Sequence, residues 1–333
     1  MNEKLLNKIK NMPKVELHLH LDGSLNTKDI QTKYGLTNEQ IKDKMIADEK
    51  CKDLNDYLKK FDYPISIMQT KDSIQNIVIA LLTYLKSQNV IYVEIRFAPQ
   101  FHTRRGLTQD EVVNFVVNAA KKVDIKCNFI LCLMRGENNN NENYETVRVA
   151  KKYLGRGVCA VDLAGAEAIF KTKEYEEIFE YVKEEEIPFT IHAGEADGPE
   201  SIKSAISFGT KRIGHGVRAI EDEGLVEKII KKGITLEVCP TSNIQTCICN
   251  DYASHPIVKL YKAGVKTTIN TDNMTVSNTT LEKEYTSLIE STDLKYEDLV
   301  EMNINSVNAA FITAEEKNVL INKIKQGGIT LED

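Results

Sequence analysis

Eight short apolar segments rich in β-branched residues recur along this chain, at 14–18, 90–97, 127–134, 158–163, 189–192, 212–215, 234–238 and 266–270, with helical patterns between them. They read as continuous apolar runs rather than in–out alternation, the pattern of parallel strands covered by helices. The intervening helices carry their own signals. Thr108-x-x-Glu111 is a capping box ahead of Val112, Val113, Phe115, Val116, Ala119 and Ala120. Residues 174–186 set Ile178, Phe179 and Val182 on one face, and 225–232 and 255–263 each run into a glycine, Gly233 and Gly264, where a helix C-terminus is expected. Eight strand-plus-helix units in 333 residues predict an α/β fold, a single (β/α)8 TIM barrel. An open doubly wound sheet is the alternative, weakened because no glycine-rich phosphate loop follows the first strand.

Two stretches depart from a plain barrel. About seventy residues separate the first two strands, far beyond an ordinary connection. Their helical pattern (38–45, 54–61, 73–88) predicts a cap over the barrel mouth, spanning 30–88. From Leu281 onward the chain reads as extra C-terminal helices packed outside. The polar tract 138–141 after the third strand reads as a solvated loop. No repeat or linker interrupts the pattern, so a single domain over 1–333 is expected.

Composition narrows the partners. A hydrophobic content of 42% with 28% charged residues fits an ordinary globular core, and a net charge of −6 gives no footprint for nucleic acid or a membrane surface. No apolar run has the length of a membrane span, and the first residues lack a signal-peptide core. Seven cysteines without framework spacing fit a reducing, cytoplasmic location. Cys239, Cys247 and Cys249 lack a Cys-x-x-Cys partner and read as buried or incidental thiols. No feature fixes an oligomeric state.

The chemistry is written in the histidines, six in all. His18 and His20 end the first strand, where alternation points both to one side about 7 Å apart. His192 ends the fifth strand, His215 the sixth and Asp272 the eighth. In a barrel these strand ends converge on the axis. Three imidazoles and a carboxylate suit one Zn²⁺ per chain, with a position left for water. Zinc lowers the pKa of bound water from about 15.7 to about 7, on the order of 12 kcal/mol toward a nucleophile. Glu195, three residues past His192, can reach a substrate without binding the metal, which suits a proton donor and acceptor. His215 is either a fourth imidazole ligand or the group that orients the nucleophile; with His18, His20, His192 and Asp272 available, the second role is favoured. His102 and His255 have no evident partners and read as surface or capping residues.

These stretches carry a resemblance. His18-Leu19-His20-Leu21-Asp22-Gly23, Tyr92-Val93-Glu94-Ile95-Arg96-Phe97-Ala98-Pro99, Asp162-Leu163-Ala164-Gly165, His192-Ala193-Gly194-Glu195, Gly214-His215-Gly216 and Asn270-Thr271-Asp272 resemble the motifs of the adenosine deaminase family, in the family's order and over nearly the whole chain. The resemblance implies zinc on His18, His20, His192 and Asp272, a proton delivered by Glu195 to purine N1, and His215 holding the nucleophile and the tetrahedral centre. It implies hydrolytic loss of ammonia from C6 of a purine nucleoside, adenosine or 2′-deoxyadenosine, giving inosine or deoxyinosine. His20 and Asp22 would meet the substrate, Asp22 through a ribose hydroxyl, and the backbone N–H of Gly165 would meet N3. Asn273 departs from a common second aspartate; an amide donates to N7 without needing protonation, so it is expected to keep that contact. Ala166 stands where an acid is common after Gly165. Adenine or N6-modified adenine nucleotides are the alternative substrates, disfavoured by Asp22. A two-metal hydrolase is a further alternative, disfavoured because the fourth strand carries no lysine.

Overall fold

The computed structural model describes residues 2–329; Met1 and 330–333, which the one-domain expectation of 1–333 includes, lie outside the described residues. The strands are β1 (Lys14–His20), β2 (Val90–Phe97), β3 (Lys126–Met134), β4 (Val158–Ala164), β5 (Ile191–Ala193), β6 (Arg212–His215), β7 (Thr235–Val238) and β8 (Lys266–Ile269). They form two all-parallel sheets, β1-β2-β3-β4 and β5-β6-β7-β8. The sheets meet at both edges. At one, Leu19 bridges to Asp272, with His20 N–H donating to Asp272 O at 2.7 Å and Asp272 N–H to His18 O at 2.9 Å. At the other, Val161 bridges to Phe189, flanked by bonds to Pro188 O and from Thr190 N. β8 stops one residue short of expectation; the Asn270 side chain accepts from Leu17 N across the seam and donates to Val238 O of the neighbouring β7.

Helices run between successive strands, and their apolar stripes explain the unbroken apolar strands. Helix Gln109–Ala120 has the expected reciprocal cap between Thr108 and Glu111 and buries Val112, Val113, Val116, Ala119 and Ala120. Helix Glu223–Lys232 ends at Gly233. Helix Glu176–Glu184 buries Ile178, Phe179 and Val182 but is shorter than 174–186, a 3-10 turn taking Thr172–Tyr175. Helix Ile257–Lys262 starts after Pro256, whose ring disfavours helical backbone at His255.

One expectation is corrected. The tract 138–141 is no free loop: Asn140 and Asn141 open helix Asn140–Tyr153. Asn143 in its first turn is buried, accepting from Met134 N at 2.8 Å and donating to Met134 O at 2.9 Å, while Asn139 donates to the same carbonyl. Asn139 and Asn143 are strand-end clamps for β3, whereas Asn138, Asn140 and Asn141 are exposed.

Between β1 and β2 run helices Thr27–Tyr34, Asn38–Met45, Leu54–Leu58, Asp62–Ile67 and Lys71–Ser87. The C-terminal helices are Leu281–Ser291, Tyr296–Ala309 and Ala314–Ile329, and Val307, Ala310, Leu320 and Ile324 from the last of these and the preceding segment pack on Val15, Leu17 and Tyr92 of β1 and β2. Among the described residues, no helix is long and apolar enough to cross a membrane. All seven cysteines are free thiols.

Among the charged side chains buried inside the strands, Glu94, Arg96, Asp162, Arg212 and Glu237 form one connected group. Arg96 donates to Asp162 at 2.7 Å, to Glu237 at 2.6 Å and to Leu17 O at 2.7 Å. Arg212 donates to Glu237 at 2.6 Å and to Glu94. Each charge thus has a partner; leaving one unpaired in such a place costs about 3–5 kcal/mol. This ionic layer lies directly beneath the strand-end histidines.

Candidate active site

Strand alternation brings His18 and His20 to one side of β1, and β5 delivers His192 beside them. Asp272 follows β8 in a left-handed backbone conformation (φ +59°), held by its two hydrogen bonds to β1. His18 Nε2 and His20 Nε2 each lie 3.4 Å from Asp272 Oδ1, and His20 Nε2 lies 3.3 Å from His192 Nε2. One donor atom from each of the four residues falls within 4.8 Å of the others.

What stands behind the rings fixes their protons. His18 Nδ1 donates to Glu237 Oε2 at 3.0 Å, and His192 Nδ1 lies 2.8 Å from Asp162 Oδ2. Burial pulls both carboxyls upward, yet Arg212 and Arg96 hold Glu237 well below the usual carboxylate range, and His192 with Arg96 does the same for Asp162. Anionic acceptors take the Nδ1 protons, so each Nε2 is left a bare lone pair. Burial also lowers His20 and His192, keeping those rings neutral. The lone pair of His18 Nε2 faces a carboxylate oxygen at 3.4 Å, which repels it unless a cation sits between them, and His18 Nε2 has no hydrogen-bond partner. The donor set fits a divalent metal ion.

A second grouping, His18, His215, Cys239 and Asp272, also brings one donor atom from each residue within 4.8 Å of the others. It is the poorer ligand set. Burial pushes the Cys239 thiol well up, and its Sγ faces Glu237 O at 3.6 Å, so it stays protonated.

Glu195 is buried, with Oε2 3.5 Å from His215 Nε2. Burial raises its carboxyl well above the ordinary value, and the charges of Asp272 and Glu167 push the same way. Its position depends on a residue the sequence did not single out. Glu167, fully buried, accepts N–H bonds from Gly194 (2.7 Å), Glu195 (3.0 Å), Ala196 (2.7 Å) and Asp197 (3.0 Å), and a hydroxyl bond from Ser201. The loop makes this nest because Gly194 sits at φ +74°, where a Cβ would also strike Ile202 at 2.4 Å.

His20, Asp22, Gly165, His192, Glu195, His215, Asp272 and Asn273 line one cavity of about 300 Å³, completed by Leu54, Tyr57, Phe61 and Ile65 from the helices between β1 and β2. Asp22 Oδ1 is buried without a partner, and burial raises that carboxyl to about 7. Asn273 Nδ2 donates to Tyr57 OH at 3.0 Å, and a Cβ at Gly23 would lie 1.9 Å from Asn273 Oδ1, so only glycine fits opposite it.

The surface reading of two histidines is corrected, and the capping reading holds for one. His102 is buried, its Nδ1 donating to Met68 O at 3.0 Å and its Nε2 lying 3.8 Å from Asp22 Oδ2. His255 is buried too; it does cap, accepting from Ile257 N at 3.0 Å, and its Nε2 meets Asn243 Oδ1 at 3.3 Å. Neither is a surface residue, because both sit where loops fold back over the strand ends.

The adenosine deaminase family model matches residues 13–327. An adenosine deaminase of Haemophilus ducreyi is 40% identical over 328 residues, covering 94% of this chain and 95% of that protein. Among solved structures, an adenine deaminase from Arthrobacter aurescens superposes with a TM-score of 0.84 at 22% identity, covering 95% of this chain and 98% of that one. An amidohydrolase from Burkholderia ambifaria with bound Zn gives 0.86 at 20% identity, covering 100% and 96%.

Proposed function

Since the chain belongs to the adenosine deaminase family, hydrolases of a C–N bond, we propose that it deaminates adenosine, and 2′-deoxyadenosine with it, to the 6-oxo nucleoside and ammonia. The cofactor in this reading is one zinc ion per chain, held by His18, His20, His192 and Asp272. Bound there, zinc supplies an activated water at neutral pH, as it does in other zinc hydrolases. The observation that carries the reading is the convergence of three imidazole nitrogens and one carboxylate oxygen beside a raised glutamic acid.

The chain's own groups divide the work. Glu195, kept protonated by burial, donates to N1 of the purine as C6 becomes tetrahedral, and regains a proton to help ammonia leave. His215 steadies the nucleophile and the tetrahedral centre. Asp22, with a buried and unpartnered oxygen, accepts a ribose hydroxyl, and the N–H of Gly165 meets N3. Asn273 keeps one amide N–H for N7 after bonding Tyr57. Free adenine, lacking the hydroxyl that Asp22 reads, should be poorer by about 10⁴.

In the same reading, the two sheets close into one (β/α)8 barrel forming a single domain, with 30–88 as a cap over its mouth. The parallel bridges at both seams and the cap residues lining the cavity support this arrangement. Seven free thiols support a reducing, cytoplasmic setting.

The test is direct. Adenosine absorbance should fall with release of one ammonia per nucleoside, a chelator should stop it, and Glu195→Gln should lower kcat by about 10²–10⁴ with zinc still bound. Parental turnover in Glu195→Gln would remove the assignment. Two ions per chain by elemental analysis would favour a two-metal hydrolase instead.

A further inference from the structure

Three buried side chains that stand behind the catalytic face form a line of one-way hydrogen bonds. It begins at a group whose direction is fixed by covalent structure: the backbone N–H of Ile257 can only donate, and it donates to His255 Nδ1 at 3.0 Å. Burial holds His255 down to about 3, so the ring is neutral, and with Nδ1 accepting its single proton is on Nε2. That Nε2–H faces Asn243 Oδ1 at 3.3 Å. An amide whose oxygen is claimed presents its NH₂ on the other side, and Asn243 Nδ2 meets His215 Nδ1 at 3.0 Å. Asn243 is fully buried, so no water competes for either end.

We infer that His255 and Asn243 are positioning residues that fix the tautomer of His215, forcing its proton onto Nε2, the nitrogen that faces Glu195 and the reacting centre. The inference rests on the reading of His215 as a group that steadies the nucleophile and not as a ligand. It also deepens that reading, because a protonated Nε2 cannot ligate a metal and can donate a hydrogen bond. The backbone of β6 already aims the ring: His215 holds φ +59°, a conformation costly for a non-glycine residue. Aim without the correct proton would be wasted. A relay set by a backbone N–H cannot reverse, so the donor is ready before substrate arrives.

The experiment uses the metal-loaded full chain with ¹⁵N-labelled histidine. In the parent, His215 should show a protonated Nε2 and an unprotonated Nδ1. Asn243→Asp places a carboxylate oxygen against Nδ1, which must then carry a proton; kcat should fall about 10²- to 10⁴-fold, while KM for adenosine and bound zinc change by less than about twofold. His255→Gln can still accept from Ile257 and donate to Asn243, and should keep most of kcat. His255→Leu, of similar bulk but without a donor, should lose about tenfold or more. This pair keeps the idea testable should Asn243→Asp fail to fold. A parent His215 with its proton on Nδ1, parental turnover in Asn243→Asp, or equal rates for His255→Leu and His255→Gln would each overturn the relay. His215→Ala separates the layers: if it is harmless the role of His215 falls, whereas if it is crippled and Asn243→Asp is not, only the relay falls.

Discussion

His18 and His215 have ring centroids 4.9 Å apart, and His192 and His215 5.2 Å apart, all buried at strand ends. The chain equips them oppositely. Behind His18 and His192 stand carboxylates, Glu237 and Asp162, which draw the proton to Nδ1 and leave Nε2 bare. Behind His215 stands an amide donor, Asn243, which leaves the proton on Nε2. Exchanging an acceptor for a donor at the rear of the ring turns a nitrogen able to ligate a metal into a proton-bearing one. His102 supplies a third case. The Met68 carbonyl accepts from its Nδ1, so Nε2 is bare as in His18 and His192, but it faces Asp22 instead of other ring nitrogens.

The largest effect that tests this contrast is on metal affinity. Asp162→Asn weakens the pull on His192 Nδ1 and removes one of the two carboxylates paired with Arg96, and zinc affinity measured by competition with a chelating dye should drop about 10- to 100-fold. Asn243→Asp, which leaves the carboxylates behind His18 and His192 in place, should not lower that affinity. An unchanged affinity in Asp162→Asn would break the carboxylate half of the comparison.

His102 gives the next effect, in stability. Burial holds its ring down to about 4 from an ordinary 6.5, so between those values the unfolded chain takes up a proton that the folded chain refuses. The contribution is intact above pH 6.5 and is lost as pH falls toward 4. At pH 5 the loss from this residue is about 2 kcal/mol. Urea unfolding at pH 7.5 and 5 should show the parent losing about that much more than His102→Asn; equal losses would mean the ring is charged in the fold.

The smallest effect concerns the base itself. Asn273→Ala removes one amide donor, and KM for adenosine should rise about three- to tenfold, the range of a single hydrogen bond. Unchanged steady-state kinetics would show that N7 is read by another group.

The sequence exposed one side of this arrangement and hid the other. His18, His20, His192, Glu195, His215 and Asp272 were legible because each breaks an apolar run at its end, where a strand gives way to polar chain. Glu237, Asp162, Glu94, Arg96 and Arg212 sit inside such runs. A lone charge between valines and leucines signals a buried pair, but strand period alone does not say which strands face each other. Glu167 carried no local signal, since its partners are backbone N–H groups twenty-seven to thirty residues later. His255 and Asn243 escaped for a similar reason: they meet only because the chain turns back between them. Within the tract 138–141, Asn139 misled because asparagine serves loops and strand-end clamps equally well.

The buried charges have a consequence for how the chain can be divided. β1–β4 alone would strand Glu94 without Arg212, and β5–β8 alone would keep Arg212 on Glu237 while losing Arg96. Neither half is electrically self-sufficient, so fragments made separately would stay disordered until they met. Cut between β4 and β5, the protein becomes a two-piece complementation system in which catalysis reports that the pieces have joined.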